Sequence, residues 1–274
     1  MMKKIGITEW ALPGEGIFAI ELAFKAGLKG IQIGSGSYAT GFKIGQKEIQ
    51  ELYMENSLKY GVEILSIALN DLNVHGFNKG RETEHGKIAY KNIELTIEAA
   101  KNMQIKSIMI PSFLDNDILS ENDYLFSAEA LRYACSLAAE DNIEVLSETT
   151  LLPDEQKKLF SMVNMPNIKL IYDTQNYKLF KDYDQMEILK GSNDVMTQKQ
   201  VHVKDGIDVI SSCLLGEGTC KVFEQLDYLQ GNNYNGWLIL ENYYSQLPLR
   251  KQSENYMDIL KKDLSILTEY LTKG

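Results

Sequence analysis

The stretch Val201-His202-Val203-Lys204-Asp205 is a short apolar run that passes directly into charged side chains. Valine is β-branched and favours strands, so the run predicts a strand over Lys199–Val203 with its functional groups at the carboxyl end. Three other runs in this half of the chain have the same form. Ile143–Ser147 is followed by Glu148, Lys169–Tyr172 by Asp173, and Trp237–Leu240 by Glu241.

Eight β-rich runs of this kind alternate with helical patterns along the whole chain. They are continuous apolar runs, as expected for parallel strands covered on both faces. Eight βα units predict a closed α/β barrel, a (β/α)8 TIM barrel, as a single catalytic domain over residues 1–274, with a doubly wound open sheet as the alternative. The predicted strands are Ile5–Thr8, Gly30–Ile33, Glu63–Leu69, Ser107–Ile110, Ile143–Ser147, Lys169–Tyr172, Lys199–Val203 and Trp237–Leu240.

The helical patterns between these strands differ in strength. Phe18–Ala26 and Lys47–Tyr60 each end at a glycine, which is a common helix C-cap. Glu84–Asn102 carries apolar residues close to helical spacing. The remaining predicted helices are Ser127–Glu140, Pro153–Met162, Tyr183–Leu189, Val222–Leu229 and Tyr256–Leu271.

Composition limits the partners. The chain has 274 residues with 28 basic and 38 acidic side chains, for a formal charge of −10 and no segregated basic patch, which disfavours nucleic acid and anionic membrane surfaces. Its longest apolar runs are far shorter than a membrane span. The three cysteines form no CxxC pair, and the N-terminal residues show no signal-peptide pattern. We therefore expect a cytoplasmic protein whose partner is a small molecule.

The four strand ends predict a metal site. Working residues of a barrel collect at the carboxyl ends of its strands, so four successive strands would bring three carboxylates and one imidazole to one rim. Each residue alone is more often a helix cap, a solvated charge or a core histidine, but the joint occurrence favours metal binding. Such an oxygen-rich set suits one divalent ion, Mn2+, Mg2+, Co2+ or Zn2+. The predicted ligands are Glu148, Asp173, His202 and Glu241.

The sequence resembles the xylose isomerase-like barrels, a superfamily of sugar phosphate isomerases and epimerases that also holds inosose dehydratases and endonuclease IV nucleases. The resemblance covers nearly the whole chain, and it is carried by motifs in a fixed order. Its opening segment, Gly6 to Pro13, is similar to that of L-xylulose 5-phosphate 3-epimerases. The other motifs are Ser147-Glu148, Tyr172-Asp173-Thr174-Gln175-Asn176, His202-Val203-Lys204-Asp205, Leu215-Gly216-Glu217-Gly218 and Tyr234-Asn235-Gly236-Trp237 running into Leu240-Glu241.

The resemblance implies that the four strand-end residues bind the metal and that Glu148 and Glu241 double as catalytic acid and base. It also implies a homodimer or homotetramer, because related barrels often pair through their helical shells. Two departures from the free-ketose 3-epimerases stand out. Asn176 stands where those enzymes carry a histidine, and Gly206-Ile207-Asp208 lacks the arginine that follows their metal histidine.

Further polar and aromatic residues near the strand ends are candidates for substrate binding. Glu9 and Trp10 follow the first strand, and Asn70 follows the third. An indole ring suits the apolar face of a sugar, although plain packing is the alternative for Trp10. Asn176 completes the set with Lys204, for which a structural ion pair is the alternative role.

These residues fit proton abstraction next to a carbonyl group. A metal would stabilise an enediolate, while one carboxylate removes a proton and the other returns one from the opposite face. The sequence therefore predicts a sugar or sugar-phosphate isomerase or 3-epimerase. An inosose dehydratase-type lyase would use the same site. A nuclease of the endonuclease IV kind and a non-catalytic sugar-binding barrel are more remote, because the chain has only three histidines and retains all four predicted ligands.

Overall fold

The computed structural model describes residues 4–14 and 16–273 of the chain. The first three residues, which contributed to the expectation of a cytoplasmic protein, lie outside the described residues. Within the described ranges, no helix combines the length and the apolar character that crossing a membrane requires.

Eight parallel strands form one sheet with neighbouring order β6-β5-β4-β3-β2-β1-β8-β7. Its two ends meet through isolated parallel bridges between Leu170 and Met196 and between Asp173 and His202, which close the barrel. The predicted (β/α)8 TIM barrel is thereby confirmed over the open doubly wound sheet. The strands are β1 (Ile5–Thr8), β2 (Gly30–Gly34), β3 (Glu63–Ala68), β4 (Ser107–Pro111), β5 (Glu144–Glu148), β6 (Ile168–Leu170), β7 (Gln200–Val203) and β8 (Trp237–Leu240).

Nine α-helices lie among the described residues. Three match the predicted bounds, four differ from them by one to three residues at an end, and two depart further from prediction. Helix α4 begins six residues earlier than predicted because Ser120 caps it with a reciprocal Ser–Asp pair. Helix α6 was not predicted. The helices are α1 (Phe18–Ala26), α2 (Lys47–Tyr60), α3 (Glu84–Asn102), α4 (Glu121–Ala138), α5 (Pro153–Val163), α6 (Asn176–Lys181), α7 (Gln185–Ser192), α8 (Val222–Gly231) and α9 (Tyr256–Lys273).

Alternation along the strands separates two layers of side chains. In β7, Val201 and Val203 join the large apolar cluster, while His202 between them faces the other way. A smaller buried cluster, Ala68, Met109, Leu146 and Ile171, has Trp10 packed against it. Leu146 precedes Glu148 by two residues and Ile171 precedes Asp173 by two. The period of two therefore places these apolar side chains directly beneath the acidic strand ends.

A buried carboxylate on α9 ties the helical shell to the loops above β7 and β8. Asp263 Oδ1 accepts a hydrogen bond from the Leu215 amide at 2.8 Å. Its Oδ2 accepts from Asn242 Nδ2 at 2.7 Å and from the Tyr244 hydroxyl at 2.9 Å. Burial raises the pKa of Asp263 to about 6 despite these donors. This carboxylate therefore fixes the segments on either side of the barrel mouth at an electrostatic cost.

The raised pKa makes the stability of the fold depend on pH. Because Asp263 binds its proton more tightly in the native state, its contribution to stability is fully present below about pH 4 and is lost as the pH rises through about 6. Two pKa units correspond to about 3 kcal/mol. Asp263→Asn removes this titration, so its free energy of unfolding, relative to wild type, should rise by about 3 kcal/mol between about pH 4 and pH 7. Urea unfolding at both pH values measures this, and an equal difference at both would contradict it.

Candidate functional site

Four ionisable side chains meet at the carboxyl ends of β5 to β8. Each offers a ligand atom that lies within 4.8 Å of the others, and all four residues are buried. Glu148 is the last residue of β5, His202 lies within β7, and Glu241 directly follows β8. Asp173 comes three residues after β6, where it forms one of the two bridges that close the barrel. The structure thus brings together the four residues predicted as metal ligands: Glu148, Asp173, His202 and Glu241.

The imidazole of His202 occupies the centre of this cluster. Its Nδ1 lies 3.1 Å from Glu241 Oε2, 3.2 Å from Glu148 Oε1 and 3.8 Å from Asp173 Oδ2. Its Nε2 faces the barrel interior, 2.8 Å from Gln32 Oε1. Nδ1 is therefore the nitrogen that faces the carboxylates. Although burial opposes a charged imidazole, Glu241 and Glu148 raise the pKa of His202 to about 10.

Lys204 is the second cation of the cluster, and it is 1% exposed. Its Nζ lies 2.8 Å from Glu241 Oε2 and 3.0 Å from Asp173 Oδ2. Burial disfavours the ammonium, but Asp173 and Glu241 raise the pKa of Lys204 well above its ordinary value. This geometry provides the structural ion pair that was the alternative role for Lys204, and it also places the ammonium within the cluster.

The two carboxylates beside Lys204 differ in pKa. Burial raises the pKa of Asp173 to about 6, because desolvation outweighs the attraction of Lys204. Burial also acts against the ionised form of Glu241, but Lys204 and His202 together lower the pKa of that carboxyl. The directions are opposite because Glu241 Oε2 lies within 3.1 Å of both cations, whereas Asp173 Oδ2 is 3.8 Å from His202 Nδ1.

The donor set fits a divalent cation. Three buried carboxylates face one ammonium, so with a neutral imidazole two negative charges have no partner within the cluster. Uncompensated buried charge is costly, and a divalent ion would neutralise it. Asp173 Oδ2 is buried, makes no hydrogen bond of regular geometry, and has Lys204 Nζ at 3.0 Å as its ion-pair partner. Carboxylate oxygens with one imidazole nitrogen are ligands for Mn2+, Mg2+, Co2+ or Zn2+.

Neighbouring side chains and amides orient the carboxylates. Asp173 Oδ1 accepts from the backbone amides of Gln175 and Asn176, both at 2.7 Å. Asn176 Nδ2 donates to Glu148 Oε1 at 3.0 Å, and Trp10 Nε1 donates to Glu241 Oε1 at 2.8 Å. Of the residues predicted to bind substrate, Trp10, Asn176 and Lys204 therefore contact the predicted metal ligands themselves.

The other two predicted substrate-binding residues line a cavity beside the cluster. This cavity, of about 560 Å³, lies at the carboxyl ends of β1 to β3 and is bordered by Glu9, Trp10, Asn70 and Ser35. Glu9 is buried and accepts a hydrogen bond from the Tyr53 hydroxyl at 3.2 Å. Trp10 borders both the cavity and the cluster, so a molecule held at the cluster can extend into this space.

A loop after β7 is organised by the last residue of the His202–Asp205 motif. The carboxylate of Asp205 accepts hydrogen bonds from the amides of Gly206, Gly216, Gly218 and Cys220 at 2.9–3.2 Å. A Cβ at Gly218 would lie 2.0 Å from Asp205 Oδ1, so only glycine fits there. The two motifs noted in the sequence, one ending at Asp205 and one containing Gly216 and Gly218, thus form one structural unit.

Sequence analysis missed the polar residues inside the barrel. Gln32 in β2, Ser66 in β3 and Gln200 in β7 are buried and hydrogen-bonded to one another beneath His202. The available signal was a polar residue in the middle of an apolar strand.

Comparisons with known proteins agree with this arrangement. A family model described as xylose isomerase-like TIM barrel matches residues 20–267. The 2-epi-5-epi-valiolone 7-phosphate 2-epimerase of Actinoplanes sp. is 30% identical over 249 residues, which cover 89% of this chain and 88% of that protein.

Solved structures with low sequence identity share the fold. A xylose isomerase domain protein from Planctomyces limnophilus is 16% identical, with a TM-score of 0.77 and coverage of 99% of this chain and 98% of that chain. The D-allulose 3-epimerase of Methylomonas sp. is 16% identical, with a TM-score of 0.75 and coverage of 98% of both chains. The family match and the Actinoplanes relative confirm the resemblance seen in the sequence motifs. The chain therefore belongs to the xylose isomerase-like TIM barrel family, and it is an enzyme of the isomerase and epimerase class.

Proposed function

We propose that this chain is a divalent-metal-dependent epimerase or isomerase of a small polyhydroxylated carbonyl compound, and that residues 1–274 form one catalytic barrel domain. The observation that carries this proposal is the buried cluster whose negative charge exceeds its positive charge. The cavity bordered by Trp10 adds space for a substrate next to that cluster. The same two features argue against a purely structural role, because burying unbalanced charge weakens a fold.

The substrate class follows from the relative and from the cavity together. The Actinoplanes relative acts, by its name, on 2-epi-5-epi-valiolone 7-phosphate and changes the configuration at carbon 2. We propose that this chain likewise acts on a sugar or a carbocyclic sugar analogue. At the cavity wall, Glu9 would accept hydrogen bonds from its hydroxyl groups, and the Asn70 amide would accept or donate them.

The residues that would hold the metal are Glu148, Asp173, His202 through Nδ1, and Glu241. When bound, a divalent ion supplies stabilisation for the negative charge that develops on substrate oxygens during proton removal. Trp10 and Asn176 orient Glu241 and Glu148 through their hydrogen bonds, and the two amides at Asp173 Oδ1 fix that side chain. Orientation of this kind lowers the reorganisation needed during the reaction.

The proton transfers would be carried by the two glutamates. Glu148 ends β5 and Glu241 follows β8, so β6 and β7 separate them around the rim. One carboxylate would remove the proton next to the carbonyl group, and the other would deliver a proton from the opposite side, which inverts the stereocentre. A substrate with a leaving hydroxyl next to the same carbon would instead lose water, which is the lyase reaction.

We also propose a cytoplasmic location and a homodimeric or homotetrameric state. Cys135, Cys213 and Cys220 are free thiols, which suits a reducing compartment. The oligomeric state rests on the resemblance described above. Native mass spectrometry or light scattering would measure it directly.

Metal binding tests the site itself. The wild-type protein should bind one equivalent of divalent ion, and His202→Ala and Glu241→Gln should each weaken binding more than about a hundredfold, because both remove a direct ligand. Elemental analysis and titration calorimetry with Mn2+ or Zn2+ measure this. His85→Ala is the matched control, since His85 lies at the start of α3 and should leave affinity unchanged. A wild-type protein that binds no metal would refute the proposal.

Proton transfer is tested by the two glutamates in deuterated water. With ketoses, their 5-phosphates, 2-epi-5-epi-valiolone 7-phosphate and 2-keto-inositol as substrates, wild type should invert one stereocentre and incorporate solvent deuterium there. Assayed at saturating metal, Glu148→Gln and Glu241→Gln should each lower kcat by roughly 10²–10⁴ because each removes one proton carrier.

Glu98→Gln, on the exposed face of α3, is the control for these variants and should retain full kcat. Release of water from 2-keto-inositol with no epimer formed would assign the chain to the lyases instead. Full activity in both glutamine variants would exclude the proposed roles of Glu148 and Glu241.

A further inference from the structure

A line of hydrogen-bonded polar side chains runs through the interior of the barrel below His202. Gln32, Ser66 and His202 are fully buried and Gln200 is 2% exposed. They lie on β2, β3 and β7, so the line connects strands that are not all neighbours in the sheet. Barrel interiors are usually filled by branched apolar residues. A polar line here therefore calls for a physical reason.

Each link in the line has the length of a good hydrogen bond. His202 Nε2 lies 2.8 Å from Gln32 Oε1, and Gln32 Nε2 donates to Ser66 Oγ at 2.8 Å. Ser66 Oγ donates to Gln200 Oε1 at 2.9 Å. Gln200 also borders a second cavity at the amino ends of the strands. The line therefore extends from the candidate metal cluster toward the opposite end of the barrel.

The direction of donation determines the state of the imidazole. Ser66 gives its only proton to Gln200, so it accepts from the amide nitrogen of Gln32. That leaves the carbonyl oxygen of Gln32 facing His202, and an oxygen there can only accept a proton. With this amide orientation His202 carries hydrogen on Nε2, so the neutral ring that a metal would need has its lone pair on Nδ1, the nitrogen that faces the carboxylates.

We propose that Gln32 is a positioning residue that holds His202 in the tautomer needed for metal binding through Nδ1, and that Ser66 and Gln200 fix the amide orientation of Gln32. This inference rests on the proposed metal site. A ligating histidine commonly donates its other ring hydrogen to an acceptor that fixes its tautomer and orientation. Here that acceptor is an amide inside the barrel, which adds no further charge to an already acidic cluster.

The polar line is better explained by positioning than by stability. Buried hydrogen-bonded groups contribute little net stability, whereas an apolar side chain of similar volume packs well in a barrel interior. Four polar side chains that satisfy one another in series instead restrict each other to a single arrangement. The imidazole of His202, at the end of the series, is therefore held in one orientation by its hydrogen bond to Gln32.

The test compares variants at position 32 in Zn2+ affinity and in the proton resonance of His202 Nε2. Gln32→Met keeps the volume and removes the acceptor, and Gln32→Asn withdraws the acceptor by one methylene. Both should weaken Zn2+ binding by about 10- to 100-fold. Both should also shift the Nε2 proton resonance of the Zn2+-loaded protein upfield as its hydrogen bond is lost. The chain has three histidines, so labelling histidine with 15N gives a spectrum that can be assigned.

Gln32→Glu is the conservative rescue because a carboxylate still accepts from Nε2. It should keep Zn2+ affinity within about tenfold of wild type and preserve the downfield resonance. Gln50→Met is the matched control, since Gln50 is a buried glutamine in α2 that donates to the Ile44 carbonyl, outside the cluster. It should lower stability without changing Zn2+ affinity.

The outcomes separate this inference from the proposed function. Wild-type protein that binds no Zn2+ would overturn both. Wild-type protein that binds Zn2+ while Gln32→Asn keeps the same affinity and the same Nε2 resonance would overturn the positioning role and leave the metal site standing. If Gln32→Met does not fold, the comparison of Gln32→Asn with Gln32→Glu decides the question.

Discussion

The interaction on which the site depends is the attraction between three buried carboxylates and the positive charge that they gather. Lys204 supplies one positive charge inside the barrel mouth, with its ammonium within 3.0 Å of both Asp173 and Glu241. A proton on His202 Nδ1 would contribute a second, because Glu241 and Glu148 raise the pKa of that imidazole to about 10. A bound divalent ion would replace that proton, since a ligating imidazole is neutral. The cluster is therefore arranged so that a metal ion and a proton compete for the same nitrogen.

This electrostatic arrangement depends on how the barrel closes. Strand β6 ends at Leu170, and the sheet is completed through two isolated parallel bridges, one between Leu170 and Met196 and one between Asp173 and His202. The amide of His202 donates to the Tyr172 carbonyl at 2.9 Å, and the amide of Thr174 donates to the His202 carbonyl at 3.2 Å. Two predicted ligands are thus held together by the backbone contacts that close the sheet. Loss of closure would separate them, which couples the integrity of the fold to that of the site.

Much of the architecture could be predicted because apolar runs and their flanking residues are local signals. The bounds of β1, β8 and helices α1 to α3 match prediction, since β-branched runs, helical spacing and C-terminal glycines act within a few residues. Strand β6 was predicted to extend to Tyr172. It ends at Leu170 because, beyond that residue, the chain pairs with β7 only at the isolated bridge between Asp173 and His202. The extent of that pairing depends on the position of β7, which is distant in sequence.

In the candidate site, too, residues marked by their immediate sequence neighbours were predictable, and contacts between strands distant in sequence were not. The strand ends pointed to Glu148 and Glu241 because a polar residue after an apolar run is visible in one dimension. The line from His202 to Gln200 was not predictable, because it requires knowing that β2, β3 and β7 face a common interior. Helix α6 was also missed. It begins at Asn176, whose amide is one of the two that donate to Asp173 Oδ1, where the sequence resembles an extended polar loop.

Two of the carboxylates divide their oxygens between the protein and the centre of the cluster. Asp173 Oδ1 is held by backbone amides and Glu241 Oε1 by the indole of Trp10, while the second oxygen of each faces His202 and Lys204. His202 is held in the same way from below, with Nε2 at Gln32 and Nδ1 toward the carboxylates. Ligand atoms held before any ion arrives lose little freedom on binding, which favours affinity and a defined geometry. A side chain used for proton transfer also needs a fixed distance to its target, because misplacement by an ångström is costly. The same restraints that would make this cluster a metal site would therefore make Glu241 an effective proton carrier.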